Sequence, residues 1–88
     1  MSDKNLSGFR HIPRKRFGQH WLNDQRVLDQ IVTAAKLNSD DCVLEVGPGK
    51  GALTAKLIES QAKFIQGIEL DRDLVIGLKK RFRHQTKF

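Results

Sequence analysis

An α/β fold built on a βαβ unit is what this sequence predicts, on three observations. Two short β-rich apolar runs, "CVLEV" at Cys42–Val46 and "KFIQGIE" at Lys63–Glu69, flank a stretch with apolar residues at helical spacing. Helical spacing also precedes the first run and follows the second. Three glycines at alternate positions, Gly47, Gly49 and Gly51, come directly after the first run, where a strand must turn into a helix. Two strands joined by a helix lie parallel and adjacent, with a right-handed crossover. That unit is half of a doubly wound architecture.

Each element has its own justification. Met1 to Asn23 shows no sustained period and contains Gly8, Pro13 and Gly18, so it reads as an arm or loop. Asn23 or Asp24 can cap the first helix, in which Val27, Leu28, Ile31, Val32 and Ala35 form one apolar face. "LNSDD" breaks that helix. A strand over "CVLEV" leads into the glycine loop. The second helix carries Leu53, Leu57 and Ile58, and the second strand ends at Glu69. Asp71 caps a third helix, with Leu74, Leu78 and Phe82 at i, i+4 and i+8. The expected organisation is a basic arm over 1–23 followed by a domain portion over 24–88. Two strands cannot cover both edges and both faces of a parallel sheet. The chain is therefore expected to be the N-terminal part of a larger domain completed beyond Phe88.

Composition narrows the class. Of 88 residues, 39% are hydrophobic and 30% charged, which suits a packed core rather than disorder. The lone Cys42 excludes an internal disulfide and is expected to be a small buried thiol. No apolar run reaches the roughly 18 residues of a membrane span, and no signal-peptide core follows the basic N-terminus. A cytoplasmic setting is the default. The net charge of +6 is uneven. Residues 1–23 hold five Lys/Arg against one Asp, residues 24–70 five against seven acids, and residues 71–88 six against two. Two basic ends around a mildly acidic centre make a field to which polyanions respond; solvated tails are the plain alternative.

The glycine loop carries the chemistry. Glycine permits positive φ and lets a ligand approach bare backbone, and the following helix presents unpaired N–H groups at its start. Glu69, 18 residues after Gly51, ends the second strand beside the loop, where a carboxylate can accept hydrogen bonds from both hydroxyls of a ribose. The spacing "GPGKG" is G-x-G-x-G, whereas the dinucleotide fingerprint is G-x-G-x-x-G/A, which Ala52 leaves open. A phosphate loop of the G-K-[ST] kind is excluded. Glu45, two residues before Gly47, would repel a pyrophosphate but could attract an ammonium or accept from a loop amide. S-adenosylmethionine has an ammonium, a sulfonium and a ribose but no phosphate, so it fits this loop better than a dinucleotide. The plain alternative is a tight turn with no ligand.

"RKRFGQHWLND", Arg14 to Asp24, sets three consecutive cations beside Phe17 and Trp21. Cations meet phosphates and rings stack on bases, a combination suited to RNA. Packing of Phe17, Trp21 and Leu22 against the domain is the alternative.

Together, "RKRFGQHWLND", "VLEVGPGKGALT" and "IELDRDL" resemble the ribosomal RNA adenine N6-dimethyltransferases that act on small-subunit rRNA. The likeness spans about residues 12–82. It implies a partial Rossmann-like, S-adenosylmethionine-dependent methyltransferase fold: an N-terminal βαβ portion with a preceding helix and a basic arm. It implies dimethylation of two adjacent adenines near the 3′ end of small-subunit rRNA, with immature small ribosomal subunits as partner and a monomeric, cytoplasmic protein. Carried over by position, His20 and Leu22 border the cofactor, Gly47 lies against its methionine part, and Glu69 holds the ribose. His20 stands where the family commonly has Asn, and Trp21 where it has Phe. The family's Asn-x-Pro-Tyr type segment, which holds the target adenine, is absent from these 88 residues. No residue is therefore named as catalytic, none as a metal ligand, and the chain alone is expected to be inactive. A non-enzymatic RNA- or ribosome-binding fragment, using Arg14, Lys15, Arg16, Lys79, Lys80, Arg81 and Arg83 on phosphates, is the second expectation. A dinucleotide-dependent oxidoreductase fragment is the third.

Overall fold

The computed structural model describes residues 9–12 and 23–88. The elements run β1 (Phe9–Ile12), α1 (Gln25–Ala35), β2 (Cys42–Val46), α2 (Ala52–Glu59), β3 (Phe64–Ile68) and α3 (Arg72–Arg81). The three strands form one parallel sheet in the order β1-β2-β3. The predicted βαβ unit is β2-α2-β3, with Val43 paired to Ile65 and Glu45 to Gly67.

β1 differs from the expectation of an arm without a strand. Phe9 to Ile12 pair in register with Cys42 to Glu45. An open strand edge presents a row of unpaired N–H and C=O groups, and a short extended segment satisfies them whatever its own periodicity. Four residues are too few for a period to be visible. On the outer edge of β3, the Ile65 amide donates to the Lys87 carbonyl at 2.7 Å, so the chain after α3 returns alongside that strand.

The helices start and stop where local chemistry dictates. The Asp24 side chain accepts from the Arg26 amide at 3.0 Å and caps α1. Lys36, at φ 50°, closes that helix in the left-handed region. Asp71 caps α3 by accepting from the amides of Asp73 and Leu74. Each such carboxylate satisfies N–H groups that a helix start leaves unpaired.

The core lies between the two crossover helices and the sheet. Leu28 of α1, Val43 of β2, Leu53 and Leu57 of α2, Ala62 just before β3 and Ile65 within it form one buried cluster, joined at its margin by Ile31, Val32, Leu37, Ile58 and Phe88. Lys56 reaches across from α2 to Asp29 of α1 at 3.0 Å, a partly exposed ion pair worth about 1 kcal/mol or less. Alternation along β2 puts Val43 and Glu45 on this covered face and Cys42, Leu44 and Val46 on the other. Cys42 is accordingly half-buried, not the buried thiol expected from the apolar run. Among the described residues, no helix is long and apolar enough to cross a membrane.

Candidate functional site

The turn from β2 into α2 is built from glycines because three of its five residues have positive φ: Gly47 at 70°, Gly49 at 62° and Gly51 at 93°. Every side chain other than glycine is strained there. The loop is fixed residue by residue. The Gly47 amide donates to the Ile68 carbonyl at 2.7 Å, carrying the sheet bonding one step past β2. Pro48 seats over β3 at Gly67, where a Cβ would stand 3.2 Å from Pro48 Cγ. The Gly49 amide donates to Glu69 Oε1 at 3.0 Å. The Gly51 amide closes a turn onto the Pro48 carbonyl at 3.0 Å, and the Gly51 carbonyl opens α2 by accepting from Ala55.

Glu69 follows β3 directly and is held from both sides. Its Oε1 accepts from Gly49 and its Oε2 from the Asp71 amide at 3.1 Å. The parallel pairing of β2 with β3 brings the ends of both strands to the same edge of the sheet, which is why residues twenty positions apart meet here. A carboxylate offers about four acceptor sites. Two are used, and the remaining pair is aimed by rigid backbone. Glu69 also lines a cleft of about 620 Å³ between β3 and α3, together with Pro48, Gly67, Val75, Leu78 and Phe82.

Of the four residues singled out in the sequence, the structure brings Gly47 and Glu69 to the same end of the sheet. His20 and Leu22 lie outside the described residues. The expectation for Glu45 is corrected. It is 2% exposed and accepts a 2.5 Å hydrogen bond from Thr54 Oγ1, on the covered face of the sheet. Strand alternation turns its carboxyl away from the loop surface and under α2, where a ligand ammonium would have to enter the core to meet it. Nor are the three glycine amides an open anion cradle, since each donates within the chain. The accessible chemistry of this edge is the carboxylate of Glu69 beside bare glycine backbone. Among the described residues, no group of three His, Cys, Asp or Glu side chains is placed to hold a metal ion.

Sequence reasoning missed three contributors. Thr54 is fully buried under the loop, and its only signal was a hydroxyl on the apolar face of the second helix. Gly67 makes room for Pro48, signalled by a glycine inside a strand. The end of α3 reaches the loop: Arg81 Nη1 donates to the Lys50 carbonyl at 2.7 Å. Nothing local to "KKRFR" distinguishes that arginine from its neighbours.

Comparison with known proteins gives the family. The family model for ribosomal RNA adenine dimethylase matches residues 10–88. The chain belongs to that family. It is 84% identical over 86 residues to a protein of Prochlorococcus marinus (strain NATL1A) named ribosomal RNA small subunit methyltransferase A, covering 98% of this chain and 30% of the relative. A protein of the same name from Synechococcus sp. (strain CC9902) is 67% identical over 78 residues, covering 89% of this chain and 28% of the relative. The chain thus spans under a third of the length of these curated relatives. Family membership also accounts for the fold class, an α/β unit of the Rossmann-like methyltransferase type.

Proposed function

We propose that this chain is the cofactor-binding portion of an S-adenosylmethionine-dependent enzyme that dimethylates N6 of two adjacent adenines in small-subunit rRNA, acting on the immature subunit in the cytoplasm. The observation that carries this reading is Glu69, whose two oxygens are fixed by the amides of Gly49 and Asp71 while acceptor capacity remains beside the glycine loop. Vicinal hydroxyls of a ribose match that pair of acceptors, and loop backbone without side chains gives the rest of the nucleoside close approach.

In this reading Glu69 holds the ribose, Gly47 lies against the methionine part, and His20 and Leu22 of the 1–23 arm border the cofactor. Residues 24–88 are the methyltransferase portion. S-adenosylmethionine supplies an electrophilic methyl group on its sulfonium. The chain's own contribution is orientation: the Gly49 and Asp71 amides keep the Glu69 carboxylate from rotating, and Pro48 on Gly67 keeps the loop at its distance from β3. The Asn-x-Pro-Tyr type segment expected to hold a flipped-out adenine is not in these 88 residues, so methyl transfer by this chain alone should be undetectable.

Calorimetric titration of the 88-residue chain tests the cofactor site. S-adenosylmethionine should bind, NAD should not, and Glu69→Gln should weaken binding about tenfold or more, consistent with loss of a charge-assisted hydrogen bond of about 1.5–3 kcal/mol. Equal affinity in the Glu69→Gln variant would sink the assignment.

One observation favours a second role for the same chain. Lys79, Lys80 and Arg83 are exposed around the end of α3, and such a cluster suits phosphate contacts. If it binds RNA, affinity must fall steeply with salt; binding that is flat between low and moderate salt excludes it.

A further inference from the structure

The last turn of α3 packs on the second half of the glycine loop, a contact that cofactor recognition by Glu69 does not itself require. Phe82 is 8% exposed, and its ring lies so close to Gly51 that a Cβ there would stand 2.7 Å from Phe82 Cε2 and 3.1 Å from Leu78 Cδ2. Beside it, Arg81 Nη1 donates to the Lys50 carbonyl at 2.7 Å, while the Arg81 guanidinium sits 5.0 Å from the Phe82 ring centroid. Phe88 braces the same ring edge-on, with centroids 5.3 Å apart and planes at 70°. Ring, guanidinium and loop carbonyl form one packed unit.

The two halves of the loop are anchored differently. Gly47, Pro48 and Gly49 are held by β3 and its end, through Ile68, Gly67 and Glu69. Lys50 and Gly51 are held by α3. Gly51 is the N-cap of α2 and has no side chain to fix it. Glycine occupies positive and negative φ about equally, so Gly51 does not choose its 93° by itself. The Phe82 ring blocks displacement of its Cα, and Arg81 fixes the direction of the preceding carbonyl.

We propose that Phe82 and Arg81 are positioning residues for the cofactor loop. By selecting the left-handed conformation at Gly51 they hold the Pro48–Gly51 turn, and with it the Gly49 amide that aims Glu69. This deepens the S-adenosylmethionine reading and rests on it for its functional consequence. It also removes Arg81 from the set of cations free to meet phosphate.

Amide hydrogen exchange on the 88-residue chain, read residue by residue by NMR, tests the positioning directly. Exchange at Gly49 and Gly51 should accelerate about tenfold in Phe82→Leu and about threefold in Arg81→Ala. Arg81→Lys should recover part of the loss. Lys63→Ala removes the same charge from an exposed side chain at the far end of the sheet and should match the parent. Val43, in the central strand, should exchange as in the parent throughout. The affinity for S-adenosylmethionine should fall in the same order, Phe82→Leu below Arg81→Ala. Unchanged loop exchange in Arg81→Ala and Phe82→Leu overturns the proposal. So does acceleration spread evenly over β2 and β3, which marks a merely structural role. Loop exchange alone decides the positioning, whereas titration of the parent chain alone decides the cofactor reading, so the two can fail separately.

Discussion

The two faces of the sheet are not alike. On one, Val43 and Ile65 are fully buried beneath Leu28, Leu53 and Leu57 from α1 and α2. On the other, Val46 is 37%, Phe64 38% and Ile68 45% exposed. The asymmetry follows from the strand order. β1, β2 and β3 step across the sheet in one direction. Crossovers of one hand between strands stepping in one direction place their helices on the same side, and α1 and α2 do share one core cluster. Covering the second face takes a reversal in strand order, and the described strands contain none. The loop and Glu69 lie where the covered face meets the strand ends, so the candidate site is supported by the finished half of the sheet.

This contrast can be broken most severely from the covered face. Leu57→Ala removes a fully buried side chain from the centre of the cluster and should cost about 2–5 kcal/mol in urea or thermal unfolding. A small α/β unit has little stability to spare, so loss of the folded state at 25 °C is within that expectation. A loss below about 1 kcal/mol would mean the helices are not packed on the sheet as described.

Thr54→Val tests the same face with a polar change. It keeps the shape but removes the hydroxyl that donates to the buried Glu45 carboxyl, and a lost partner for a buried polar group costs about 1–3 kcal/mol. If the variant is as stable as the parent, the buried Glu45–Thr54 pair contributes nothing to the covered face.

Asp71→Ala acts at the border between the faces. It deletes the cap that accepts from Asp73 and Leu74 and should destabilise by about 1 kcal/mol. Circular dichroism should show the loss as fraying of α3. Since the Asp71 amide also bonds Glu69, the variant should raise exchange at that amide more than at Gly47.

Ile68→Thr, on the open face, keeps a β-branched residue at a position already 45% exposed. Its effect should stay within about 0.5 kcal/mol. A cost approaching that of Leu57→Ala would show that the second face is covered after all, and the comparison between faces would fail.

Much of the fold was legible because its signals are local. Asp24 and Asp71 cap helices by reaching amides two and three residues on, and the 3.6-residue spacing of Val27, Leu28, Ile31 and Val32 marks a face without reference to anything distant. Gly47, Gly49 and Gly51 announced a turn because only glycine tolerates it repeatedly. β1 was not legible, since its pairing answers the needs of β2 rather than any pattern of its own. Cys42 was read from the apolar character of its run, and Glu45 from its place two residues before the first loop glycine. Their fates depend on which side of β2 received the helices: Cys42 came out half-covered and Glu45 buried. The meeting of Gly49 with Glu69 was half legible: the distance along the chain was right, but not that the glycine amide would donate to the carboxylate.

By itself the sequence determined five of the six elements, the caps of α1 and α3, the glycine turn and the acid at the end of the second strand, because each depends on residues within one or two turns of chain. Tertiary structure alone decided which face of the sheet was filled, that Glu45 would be buried against Thr54, and that Arg81 and Phe82 would reach the loop. Those outcomes rest on strand order and on contacts across 9 to 31 positions. No local periodicity encodes such contacts, since they exist only once the sheet and its helices are packed.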